Sequence, residues 1–184
     1  MRKGHTIRDN RTGESLTMLV SEEDNGGALQ LYRVHLPPHR PGPPLHYHLA
    51  FAETFTVLEG TLDMYLDRER RHIQLLPGES VTAQIYQLHT FANDADVPCT
   101  MTVETRPAGG VVQAFQIAYG VANDGGAAKD GLPRNRLIRL RFIGISQGFL
   151  PGVPFMLQRT VFAISKFIAR ITGVERRLQR YLAE

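Results

Sequence analysis

Between residues 14 and 106, apolar and polar residues alternate over short runs, and each run ends at a turn signal. ESLTMLVS (14–21) leads into the polar turn EDNGG (23–27) and then into ALQLYRVHL (28–36). In the last of these, Leu29, Leu31 and Arg33 share one face, and Gln30, Tyr32 and Val34 share the other. That imperfect alternation predicts a strand covered on both sides. PPHRPGPP (37–44) has too few backbone donors for a ladder and reads as a loop. Further on, Gly60, DRERR (67–71), Pro77-Gly78 and NDADVP (93–98) cut the chain into more strands. Many short strands with regular punctuation predict a sandwich or barrel.

After Pro107 the period changes. VVQAFQIAYG (111–120) carries apolar residues at helical spacing, and the glycine-rich NDGGAAKDGLP (123–133) reads as a linker. RNRLIRLRFIGISQ (134–147) fits a strand or a helix, with helix preferred, and PGVP (151–154) is a breaker with a proline placed to open the next helix. Leu157, Val161, Ile164, Ile168 and Ile171 then follow a 4-3-4-3 rhythm, with Arg159, Lys166 and Arg170 off the stripe. This predicts an amphipathic helix over 155–171. The expected organisation is a β-barrel over residues 1–107 and a helical extension over 108–184.

Charge divides the chain in the same way. Residues 1–130 hold 11 Lys and Arg against 16 Asp and Glu, whereas residues 131–184 hold 10 against 2. The extension is therefore basic. A single cysteine, Cys99, excludes an intramolecular disulfide and a thiolate metal cluster. MRKGHTIRDNR at the start has no apolar run for a secretory signal, and 155–171 is too polar for a membrane span. A soluble, cytoplasmic protein is expected.

The candidate chemistry lies in LHYHLAFAETFTVLEG (45–60). On an extended chain His46 and His48 point to the same side, so two imidazoles can chelate one ion. Glu53 lies at an odd offset from His48 and joins the pair only if LAFA (49–52) turns the chain into a neighbouring antiparallel strand. His89, beyond the Pro77-Gly78 turn, is the natural fourth partner. His5, His35, His39 and His72 read as ordinary packed or solvated histidines.

His46-x-His48-x4-Glu53-x6-Gly60 resembles the first motif of the cupin superfamily, and Pro77-Gly78 followed by His89-x3-Asn93 resembles the second. The resemblance covers roughly residues 28–105. It implies a mainly β fold, a double-stranded β-helix or jelly-roll barrel, here followed by C-terminal α-helices. It also implies one divalent transition metal (iron, manganese, nickel, zinc or copper) held by His46, His48, Glu53 and His89, with Asn93 fixing a strand turn. Two positions depart from the pattern. Arg40 stands where the first motif usually has glycine, with Gly42 nearby, and QIYQLH (84–89) lacks the usual proline and glycine.

Phe55, Val57, Met64, Tyr86 and Phe91 are candidates for an apolar pocket around the metal, and Tyr47, between the histidines, is expected in the core. The complete ligand set suggests an oxygenase similar to the quercetin dioxygenases, acting on a small organic substrate. An isomerase or epimerase, or a non-catalytic module that binds a small ligand, are the alternatives. The apolar stripe of 155–171 is expected to bury itself on the barrel or across a homodimer. An anionic membrane surface is the second reading for that helix. No nucleic-acid motif is present.

Overall fold

The computed structural model describes residues 1–182. Its strands are β1 (Thr6–Arg8), β2 (Ser15–Val20), β3 (Gln30–Leu36), β4 (Arg40–Pro41), β5 (Ala52–Glu59), β6 (Leu62–Leu66), β7 (Arg71–Leu75), β8 (Ser80–Ala83), β9 (His89–Asn93) and β10 (Cys99–Arg106). Four helices follow, α1 (Val111–Asn123), α2 (Arg136–Ser146), α3 (Phe155–Ile171) and α4 (Val174–Gln179). The strands pair antiparallel in two sheets, ordered β1-β2-β3-β10-β5-β8 and β4-β9-β6-β7. A mainly β jelly-roll barrel with C-terminal helices is the architecture.

Alternation explains what fills it. In β3, Gln30, Tyr32, Val34 and Leu36 are buried while Arg33 is exposed, a strand with one covered face rather than two. The inward residues of both sheets, among them Leu16, Met18, Phe55, Val57, Leu62, Met64 and Met101, form one core. Gly60 turns β5 into β6 at φ +75, and a Cβ there would sit 2.3 Å from the Pro98 carbonyl oxygen. Only glycine combines that conformation with that approach.

The prolines of 37–44 do not keep the segment out of the ladder. Arg40 pairs with Asn93 and Pro41 with Ala92, making β4 the outer strand of its sheet. An edge needs donors on one side only, and proline is tolerated there.

The core also crosses residue 107. α1 contributes Val111, Val112, Ala118 and Tyr119 to the same contiguous core. Tyr119 donates its hydroxyl to the buried Glu14 carboxylate at 2.7 Å, and Arg40 donates to the other oxygen. α2 packs on α1, and α3 and α4 add an outer layer.

The stripe on α3 does not bury itself on the barrel, which corrects that half of the expectation. Leu157, Ile164, Ile168 and Ile171 are exposed, and the helix buries Gln158, Ser165 and Ala169 instead. Gln158 is drawn inward by hydrogen bonds to Leu150 and to the Val153 carbonyl. Small residues then let α3 approach α2, where an added Cβ at Gly144 would lie 3.3 Å from Phe162. Close backbone approach and a satisfied amide decide which side packs, and the apolar stripe is left outside.

Candidate metal centre

HYH does not form a regular strand. His46 makes an isolated bridge with His89, and Tyr47 makes one with Phe149. The extended backbone still sends His46 and His48 one way and Tyr47 the other. Tyr47 is half-buried, its ring 5.7 Å from that of Phe149.

LAFA carries the chain across the barrel rather than into a neighbouring strand. Glu53 lies in β5 of the six-stranded sheet, paired with Ala83 and Thr105. His89 opens β9 of the four-stranded sheet. The four side chains therefore meet in the interior from both sheets. One donor atom from each of His46, His48, Glu53 and His89 lies within 4.8 Å of the others.

Hydrogen bonds set the tautomers. The Nδ1 of His46 faces the Pro44 carbonyl at 2.9 Å, that of His48 the Gln147 carbonyl at 3.0 Å, and that of His89 the Gln87 carbonyl at 3.0 Å. A carbonyl only accepts, so each Nδ1 carries the hydrogen. Every Nε2 is then left to face the common space. His89 Nε2 lies 2.9 Å from Glu53 Oε2. His48 Nε2 lies 3.2 Å from the same oxygen, yet it is buried without a hydrogen-bond partner.

These distances fit a transition metal. Bonds of about 2.1 Å would put neighbouring donors about 3.0 Å apart and opposite donors about 4.2 Å apart. The two contacts to Glu53 match the first value, and a small contraction of the 4.8 Å spread reaches the second. An orphaned buried imidazole nitrogen is also the signature of a missing partner.

The electrostatics agree. Burial lowers the His46 pKa to about 3, and the neighbouring His89 and His48 add to the effect, so this imidazole stays neutral. Burial alone would raise Glu53, but its contacts with His48 and His89 outweigh that and hold it well below the usual carboxylate range. Burial would lower His89, but Glu53 outweighs it and raises the pKa. Without metal, Glu53 and His89 thus form a buried ion pair.

The expected pocket residues separate into two groups. Phe55 is buried, with its ring 6.2 Å from His89 and 5.5 Å from Phe91. Val57 and Met64 are buried in the same core, and Met64 pairs with Phe91 across β6 and β9. Tyr86 does not join them. It sits at φ 68 in the turn before β9 and is 69% exposed. The left-handed backbone swings the side chain outward, while its N–H bonds the His48 carbonyl at 2.8 Å. Tyr86 instead lines a surface groove of about 330 Å³ with Tyr47, Arg68, Leu88 and Leu150. Asn93 is fully buried and donates to the carbonyls of Leu36, Pro37 and Val97, holding the strand turns.

Three partners escaped the sequence reading. Phe51 stacks on the His48 ring at 4.2 Å. Tyr32 lies fully buried beside Glu53, and burial and that neighbouring charge raise its pKa well above the usual value. The inward period of β3 marks Tyr32, since Gln30 and Val34 flank it on the same face. The third is the Gln147 carbonyl, 99 positions from His48. A backbone group leaves no trace in residue type.

Gln147 caps α2 in a left-handed conformation, φ 53. Gln147→Pro forces φ to about −65° and moves the carbonyl off His48. Losing such a supporting contact is expected to weaken metal binding about 10–100-fold, as measured by isothermal titration calorimetry.

The cupin domain family matches residues 32–104. No curated protein matches the chain. Among solved structures, the predicted oxalate decarboxylase of Thermotoga maritima is similar over 57% of this chain and 92% of its own, at 16% identity and a TM-score of 0.49. KdgF from Halomonas sp. is similar over 56% and 86%, at 17% identity and a TM-score of 0.48. A sugar phosphate isomerase of the cupin superfamily from Silicibacter pomeroyi is similar over 51% and 59%, at 26% identity and a TM-score of 0.44.

Proposed function

The chain belongs to the cupin superfamily, and from that premise we propose that His46, His48, Glu53 and His89 hold one divalent transition metal, and that the loaded protein oxygenates a small organic substrate in the manner of quercetin dioxygenases. One observation carries the reading. Three imidazoles spend their Nδ1 hydrogens on backbone carbonyls and turn their Nε2 atoms, with one carboxylate, to a single interior space.

When bound there, a divalent transition metal supplies a Lewis-acidic, redox-capable centre with positions left for substrate and dioxygen. Glu53 offsets part of the charge from its buried place in β5. The Pro44, Gln87 and Gln147 carbonyls keep the imidazoles in the ligating tautomer and fix their planes. Phe51 and Phe55 exclude water from the histidine side of the barrel.

The test is oxygen consumption by iron-, manganese- or nickel-loaded protein with a panel of enols and flavonols, with products followed by mass spectrometry. Substrate-dependent uptake with incorporated oxygen is expected. No turnover with any of the metals overturns oxygenation, and binding of the compounds unchanged assigns the barrel to ligand capture instead.

A further inference from the structure

The outward face of α3 has no partner among the described residues. A step of about 100° per residue places Met156, Leu157, Ile164, Phe167, Ile168 and Ile171 within one arc of about 120°. All six are exposed, with Met156 at 67%, Phe167 at 64% and Ile171 at 68%. The same step places Arg159, Lys166 and Arg170 within about 40° of one another along one flank of that arc. All three are exposed, and none forms a salt bridge among the described residues. α3 itself contains no Asp or Glu.

We infer that α3 docks this protein on an anionic lipid surface, with its apolar face in the headgroup and acyl boundary and its basic flank on the lipid phosphates. Charge complementarity selects this occupant. A surface patch of isoleucine, phenylalanine and methionine edged by cations outside any salt bridge matches a bilayer that offers both hydrocarbon and negative charge. The long Arg and Lys stems reach the headgroups from the edge of the apolar arc.

A second copy fits less well. A two-fold contact uses the same patch on both chains, so two basic rows would meet at its rim. Residues 131–184 offer only two carboxylates, and Glu175 is already bound to Arg141. The packing also suits a membrane: α3 turns Gln158, Ser165 and Ala169 to the protein and the apolar arc away from it. No helix of the described residues is long and apolar enough to cross a bilayer, so α3 would lie in the interface.

The experiment is co-sedimentation of the full chain with vesicles of phosphatidylcholine mixed with phosphatidylglycerol, set against phosphatidylcholine alone. Binding to the mixed vesicles that falls as salt is added is expected. Phe167→Glu, a surface change that leaves the circular dichroism spectrum intact, is expected to abolish it. The triple variant Arg159→Gln, Lys166→Gln, Arg170→Gln is expected to bind about a hundredfold more weakly. No sedimentation with the mixed vesicles overturns the inference, as does equal binding to phosphatidylcholine alone. A dimer in analytical ultracentrifugation that Phe167→Glu converts to monomer, without vesicle binding, assigns the face to a second copy and also overturns it.

Discussion

Glu53→Gln is expected to leave the barrel folded and to weaken transition-metal binding by more than about a hundredfold, the upper range for a merely supporting residue. The amide has the shape of the carboxylate without its charge, so the loss reports the anion itself. Calorimetric titration and elemental analysis of the purified protein measure it. A second readout follows from linkage. At a metal concentration of about 100 times Kd, binding stabilises the wild type by about 2.7 kcal/mol, and a hundredfold weaker variant gains only about 0.4 kcal/mol. Adding metal should therefore widen the separation between the two thermal transitions beyond the one that loss of the Glu53–His89 pair leaves without it. Equal metal stabilisation of both proteins would remove Glu53 from the ligand set.

The pH dependence has a definite sign. His89 is raised above its usual 6.5 by Glu53, and metal must displace that proton, so affinity rises with pH through the His89 titration. In the metal-free protein the pair acts differently. The lowered Glu53 contributes stability above the usual 4.5, which is lost as pH falls through its folded pKa. The raised His89 contributes fully below the usual 6.5, and that share is lost as pH rises through its folded pKa. The ion pair therefore stabilises the metal-free barrel most between about 4.5 and 6.5, and metal takes its place above.

Glu175→Ala is expected to be the costliest change in the helical layer, at about 3 kcal/mol. Arg141 on α2 is buried, and its guanidinium holds the Glu175 carboxylate on α4 through two bonds of 2.8 and 2.9 Å. Removing the acid strands a buried cation. Replacing both partners with leucine should cost far less, because no charge is left unpaired. Urea unfolding at neutral pH measures both variants. The hydrogen bond from Arg141 lowers Glu175 against the opposing effect of burial. Its contribution is therefore present above the usual 4.5 and disappears as pH falls through the lowered value. The gap between wild type and Glu175→Ala should close over that acid range. A gap that persists unchanged would mean that packing, not charge, joins α2 to α4.

Much of this protein is written in local pattern. The alternation in β3, the turn at Gly60 and the break at Pro77-Gly78 are short-range properties of the backbone, and the structure keeps them. The 4-3-4-3 rhythm of α3 is likewise helical from Phe155 to Ile171. The two histidines on one side of an extended segment follow from the period of two, and the structure brings Glu53 and His89 to the same space.

Other features depend on what lies across the fold. Periodicity tells which residues share a face and is silent on what covers that face. Gln158, Ser165 and Ala169 therefore pack while the apolar stripe of α3 looks outward. Tyr86 belongs to the expected pocket by residue type, but its own left-handed backbone turns it to solvent. β4 pairs despite its proline because only the assembled sheet makes it an edge. The Gln147 carbonyl reaches His48 because α2 ends beside the histidine segment. Sequence alone determined most of the elements, β4 excepted, and the chemistry that each can offer, since both reside in neighbouring residues. Tertiary structure decided which side of each element is covered and which distant backbone groups orient the imidazoles, because those contacts form only when the chain closes on itself.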